Sequence, residues 1–71
     1  MIRIRLSTLL GERRGTQTHF AQLAGLRAAT VNEYYNELVR NVSLETIDRM
    51  CKALGCQVGD LLTWEADRLE E

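Results

Sequence analysis

Between residues 28 and 36 the chain sets Ala28, Ala29, Asn32, Glu33 and Asn36 at the spacing of one helix face, with Arg27 at its entrance. The chemistry open to this set is recognition of base edges. An asparagine carboxamide pairs with adenine, a glutamate accepts from the cytosine amine, alanine methyls meet the thymine methyl, and an arginine reaches guanine or a phosphate. Groups suited to the nucleic-acid backbone stand nearby. Thr16 and Gln17 lie at a helix start, where free amides and the helix dipole favour a phosphate. Tyr35 follows, then Arg40 and Asn41 in a loop, while Arg13 and Arg14 flank the set. The plain alternative for each arginine is a solvated surface, and for each asparagine a helix-surface polar group.

Other chemistries lack their residues. A structural zinc site wants about four ligands at tight spacing. Cys51, Cys56 and His19 offer three candidates from distant segments. Neither a nucleophile with a neighbouring base nor a glycine-rich phosphate loop occurs. The expectation is a binding protein without metal, cofactor or catalytic centre. The two thiols read as reduced, buried side chains, and His19 falls on the outer face of its helix.

Base recognition needs a helix held by one face and open on the other. Thr16 is a good N-cap for a helix over Gln17–Ala24, with Phe20, Leu23 and Ala24 inward and Ala21 beside them. Gly25 then turns the chain in the left-handed conformation. A third helix is expected from Ala28 to Asn36 or Leu38, because Val31, Tyr34 and Leu38 fall at i, i+3, i+7. Tyr35 is expected half-exposed. Ser43 caps a fourth helix with Leu44, Ile47, Met50, Cys51 and Leu54 on one face, Lys52 in its last turn and Gly55 as its stop. Residues 6–14 fit a first helix ended by Gly15, and Val58–Leu62 a short fifth. Ile2 and Ile4 alternate with Arg3 and Arg5, so residues 1–5 fit strand as well as helix. A strand there could pair with Leu62-Thr63-Trp64-Glu65.

The window from Gln17 to Asn36 carries the helix-turn-helix pattern. Ala21 is small where a second helix crosses close above it, Gly25 takes the turn, and Val31 and Tyr34 seat the second helix. From Leu9 to Leu62, about three quarters of the chain, the sequence resembles the Cro-repressor-type, or xenobiotic-response-element-type, helix-turn-helix family in its small single-domain branch. The motifs are Gln17 opening the second helix, Ala29-Thr30-Val31-Asn32 in the recognition helix, Ser43-Leu44-Glu45-Thr46-Ile47, Lys52-Ala53-Leu54-Gly55-Cys56, and Gly59-Asp60-Leu61-Leu62. The resemblance implies an all-α, lambda-repressor-like bundle of about five short helices. It also implies a sequence-specific regulator of transcription, often a repressor, acting on double-stranded DNA and in many members as a homodimer. Two departures stand out. Glu37 replaces the family's usual glycine after the recognition helix, which predicts a longer helix. Ala28-Ala29 stands where polar readers are common.

Composition bounds the rest. Seventy-one residues and 8.1 kDa allow one domain, expected over residues 1–64, with residues 65–71 as an acidic, fraying tail. Five glycines and no proline favour helices over a turn-rich β fold. Apolar runs are too short for a membrane span, and Met1–Leu6 leads into no signal-like stretch, so the cytoplasm is the expected compartment. Net charge is −1, yet residues 1–44 hold six arginines against three glutamates, whereas residues 45–71 hold three bases against seven acids. That asymmetry fits one face meeting an anion. Glu33 and Glu37 instead motivate a second reading, a protein-interaction module (antitoxin-like or an anti-regulator subunit) on the same scaffold. Leu61, Leu62 and Trp64, with Ile2 or Ile4 beside them, could close the core or form a self-association patch.

Overall fold

The alternation at the N-terminus resolves as strand. In the computed structural model, which describes residues 1–66, β1 (Ile2–Ile4) pairs antiparallel with β2 (Leu62–Trp64). Ile2 stands opposite Trp64, Arg3 opposite Thr63 and Ile4 opposite Leu62. The ladder continues past both strands: Arg5 N–H donates to Leu61 O at 2.7 Å, and Glu65 N–H to Met1 O at 2.9 Å. Glu65, the first residue of the expected tail, is thus tied to β1. Residues 67–71 of that tail lie outside the described residues.

Between the strands run α1 (Leu6–Glu12), α2 (Gln17–Ala24), α3 (Ala28–Tyr35), α4 (Leu44–Leu54) and α5 (Val58–Leu61). The expected all-α bundle with a terminal strand pair is the fold observed. Among the described residues, no helix is long and apolar enough to cross a membrane.

Each of the first four helices stops the same way. A residue at the cap or just after it takes a left-handed conformation: Gly25 (φ 70°) and Gly55 (φ 65°) are the C-caps of α2 and α4, while Arg14 (φ 54°) and Glu37 (φ 57°) follow the caps Arg13 and Asn36. The following amide reaches back to a carbonyl five residues earlier: Gly15 to Leu10 (2.9 Å), Leu26 to Ala21 (2.9 Å), Leu38 to Glu33 (2.8 Å) and Cys56 to Cys51 (3.1 Å). This satisfies carbonyls that a helix end leaves open. Two expectations change. α1 ends at Glu12 rather than running to residue 14, and Arg14 carries the left-handed turn before Gly15. Glu37 does not prolong α3: it adopts the conformation expected of the glycine it replaces, so the helix ends at Tyr35.

The core is one cluster of Ile4, Leu6, Leu9, Leu10, Phe20, Ala21, Ala24, Val31, Tyr34, Ile47, Met50, Leu54 and Leu61. Three predicted inward residues lie outside it. Leu23 is 62% exposed, because at about 100° per residue it stands roughly 60° outside the arc of Phe20, Ala24 and Ala21. Leu38 is 66% exposed; the i+7 spacing fails once the chain reverses at Glu37. Leu44, in the first turn of α4, is 85% exposed, off the stripe of Ile47, Met50 and Leu54. Cys51 and Cys56 are free thiols, half-buried rather than buried. Burial, then the neighbouring Cys51 thiol, pushes the Cys56 thiol pKa up.

Candidate nucleic-acid interface

Local sequence builds the two helices that matter. Thr16 is extended at the N-cap of α2, and its hydroxyl accepts from His19 N–H at 3.1 Å; such a cap contributes about 1 kcal/mol. Phe20, Ala21 and Ala24 bury one side of α2, leaving Thr16 and His19 exposed and Gln17 half-buried. Gly25 then reverses the chain. A Cβ added there would stand 2.9 Å from the guanidinium of Arg49, whose Nη1 contacts Gly25 O at 3.5 Å. Arg49 is held by Glu45 one turn back, at 3.0 Å, so α4 braces the corner from behind.

Val31 and Tyr34 anchor α3 from beneath. Tyr34 also fixes the next element, since its hydroxyl accepts from Ser43 N–H at 3.4 Å, at the N-cap of α4. The outer side of α3 carries Ala28, Ala29, Asn32, Glu33 and Asn36, all exposed, with exposed Arg27 as N-cap. Tyr35 is half-buried against the core. Arg40 and Asn41 are exposed in the loop before Ser43.

The structure joins some of these candidates directly. Asn32 Nδ2 donates to Gln17 Oε1 at 3.2 Å, linking the first residue of α2 to the middle of α3. Asn36 Nδ2 donates to the carbonyl of Asn32 at 3.0 Å, which turns that amide along its own helix. Gln17 and Asn32 therefore share one surface, with Thr16 next to Gln17 at the N-cap of α2, and Ala28, Ala29, Glu33 and Asn36 follow along α3 after its N-cap Arg27. No bond is seen linking Arg40 and Asn41 to these residues; they follow on the loop beyond the end of α3. Arg13 and Arg14 are exposed at the end of α1, and Arg13 borders a shallow groove with Arg5, Glu12, Cys56 and Asp60.

Residues 5–67 match the family described as Cro/C1-type HTH DNA-binding domain. The chain belongs to this family. It is also 30% identical over 64 residues to an uncharacterized HTH-type transcriptional regulator of Bacillus subtilis (strain 168), YozG, a match spanning 90% of this chain and 76% of that protein. As a Cro/C1-type domain the chain has α2 and α3 as its helix-turn-helix pair, with α3 in the place of the recognition helix.

Two arginines of this Cro/C1-type domain escaped the reading of its sequence. Arg49 braces the turn; the Glu45/Arg49 spacing of four was a visible signal for their pairing, but not for the reach to Gly25. Arg3 bonds Glu37 through Nε at 2.8 Å and Nη2 at 2.9 Å, and Ile4 N–H donates to the same carboxylate at 3.1 Å. These bonds hold the Glu37 carboxyl well below its ordinary 4.5, at about 2, with the Arg3 hydrogen bond the largest cause and the Ile4 amide the next. Glu37 is an ion-paired tether to β1, and nothing at a separation of 34 residues announces such a pair.

Proposed function

We propose that this Cro/C1-type domain is a sequence-specific regulator of transcription whose α3 lies in the DNA major groove. The observation that carries the reading is Asn32: exposed on the outer side of α3 and oriented by Gln17. A carboxamide so placed reads adenine, with Ala28 and Ala29 toward thymine methyls and Glu33 or Asn36 toward neighbouring bases. Arg27, Thr16, Gln17, Tyr35, Arg40 and Asn41 hold phosphates. The activity is binding with no covalent step, and it acts in the cytoplasm by occupying its site as a repressor. The test is selection of bound duplexes from a random library. Enrichment of one motif is expected, and recovery of unenriched sequence would overturn the proposal.

The domain works as a homodimer in this reading. Ile2 and Trp64 face each other across the strand pair and are 59% and 69% exposed. Val42 lies exposed across a recess from Ile2. A self-complementary patch of this kind would pair two copies about one helical turn of DNA apart. The interaction-module reading rests on the low net charge, Glu33 and Glu37; of these, Glu37 is ion-paired to Arg3.

A further inference from the structure

We propose that Arg3 and Glu37 form a positioning clamp, in which β1 fixes the loop of residues 38–42 relative to the end of α3. The inference rests on the DNA-binding reading of α3 and adds to it two residues that touch no base.

Three observations converge. Glu37 occupies a left-handed conformation that side-chain-bearing residues rarely adopt, at the one point where α3 passes into the loop. A glycine would take that conformation with less strain, and the Glu37 side chain makes bonds that a glycine cannot make. What it does is visible: both carboxylate oxygens are engaged by Arg3, in the fork geometry that gives such pairs direction, and one of them also accepts from Ile4 N–H. The carboxylate thereby covers an outward-facing amide of β1, a strand whose other edge is filled by β2.

The consequence falls on the loop. It is pinned at its start by Glu37 and at its end by Ser43, whose amide bonds the Tyr34 hydroxyl. Between these points Val39 packs against the core, while Arg40 and Asn41 project. Releasing Glu37 frees the near end, so Arg40 and Asn41 would have to be ordered when DNA binds rather than beforehand. Ordering a long side chain on binding weakens affinity about two- to tenfold.

The sign of one substitution separates this role from simple electrostatics. Removing an acid near a DNA surface strengthens binding if charge alone matters. The clamp requires the opposite. E37G suits the left-handed backbone, keeps the fold and deletes the tether. Its affinity for the selected duplex is expected to fall about two- to tenfold, with R3A falling equally and the double variant no further. In the free full-length chain, amide hydrogen exchange of residues 38–42 is expected to quicken in both single variants while α2 and α4 stay protected. Unchanged exchange would overturn the clamp. Quickened exchange with E37G binding as well as or better than wild type would overturn its role in DNA binding. Failure of the wild-type chain to enrich any duplex would overturn the DNA reading itself, leaving the exchange result to decide the clamp.

Discussion

Asn32 on α3 gives one amide hydrogen to the side-chain oxygen of Gln17 on α2, at 3.2 Å. That bond settles the direction of both carboxamides. Asn32 keeps its Oδ1 and a second N–H, which is the pair an adenine edge needs. Gln17 keeps its amide hydrogens for an acceptor such as a phosphate oxygen. The two helices of the motif thus share one hydrogen-bonded unit at the surface.

Asn32→Ala is expected to relax preference at one base position by about 1–3 kcal/mol. Gln17→Ala should lose part of the same discrimination, because Asn32 is then free to rotate. A double-mutant cycle on affinities for matched and mismatched duplexes checks this. Additive effects would mean the bond does not act in recognition.

Arg40→Ala should weaken binding to every duplex alike and lower the slope of log K against log salt by about 0.9. Titration with potassium chloride on the selected and on a random duplex measures both. A change confined to the selected duplex would make Arg40 a base reader.

Gly25→Ala forces a side chain into the left-handed region, which costs about 1–2 kcal/mol, and drives its Cβ toward Arg49 Nη1. Since Arg49 is a flexible chain end, the backbone term dominates. For a domain of this size the melting temperature should drop about 4–8 °C per kcal/mol. Adding Arg49→Ala would remove the contact while leaving most of the loss in place.

Glu37 makes stability depend on pH at the acid end. Its folded pKa of about 2 lies below the ordinary 4.5, so between these values the unfolded chain binds a proton that the folded chain does not. The contribution is full above about 4.5 and is lost as pH falls toward 2. Glu37→Gln should flatten that part of the profile, read by denaturant melts at several pH values.

Trp64→Lys should shift any dimer toward monomer, because it places a charge in the patch shared with Ile2. Sedimentation at several concentrations reads this directly. A monomeric wild type would remove the homodimer from the proposal.

What the sequence made legible was local. Thr16 and Ser43 cap because a hydroxyl at a helix start can accept from an open amide, and Gly25 and Gly55 turn because glycine takes the left-handed conformation with least strain. Val31 and Tyr34 anchor α3 through helical spacing alone. Spacing misled at Leu23, Leu38 and Leu44, where a stripe was extended past the arc, or past the helix, that the neighbours cover. The face of α3 was readable as the remainder of its buried side. Arg3 was not, because its role depends on the strand pair bringing residue 3 to residue 37, a contact that no local pattern encodes.

Arg14 and Glu37 both hold a backbone shape that glycine would hold with less strain. The chain therefore sits below the thermal tolerance its architecture permits. Arg14→Gly should raise stability by about 1 kcal/mol. At Glu37 the same relief comes only by unfastening the terminal strand from the reading helix, so one of the two helix ends is open to improvement and the other is committed to its task.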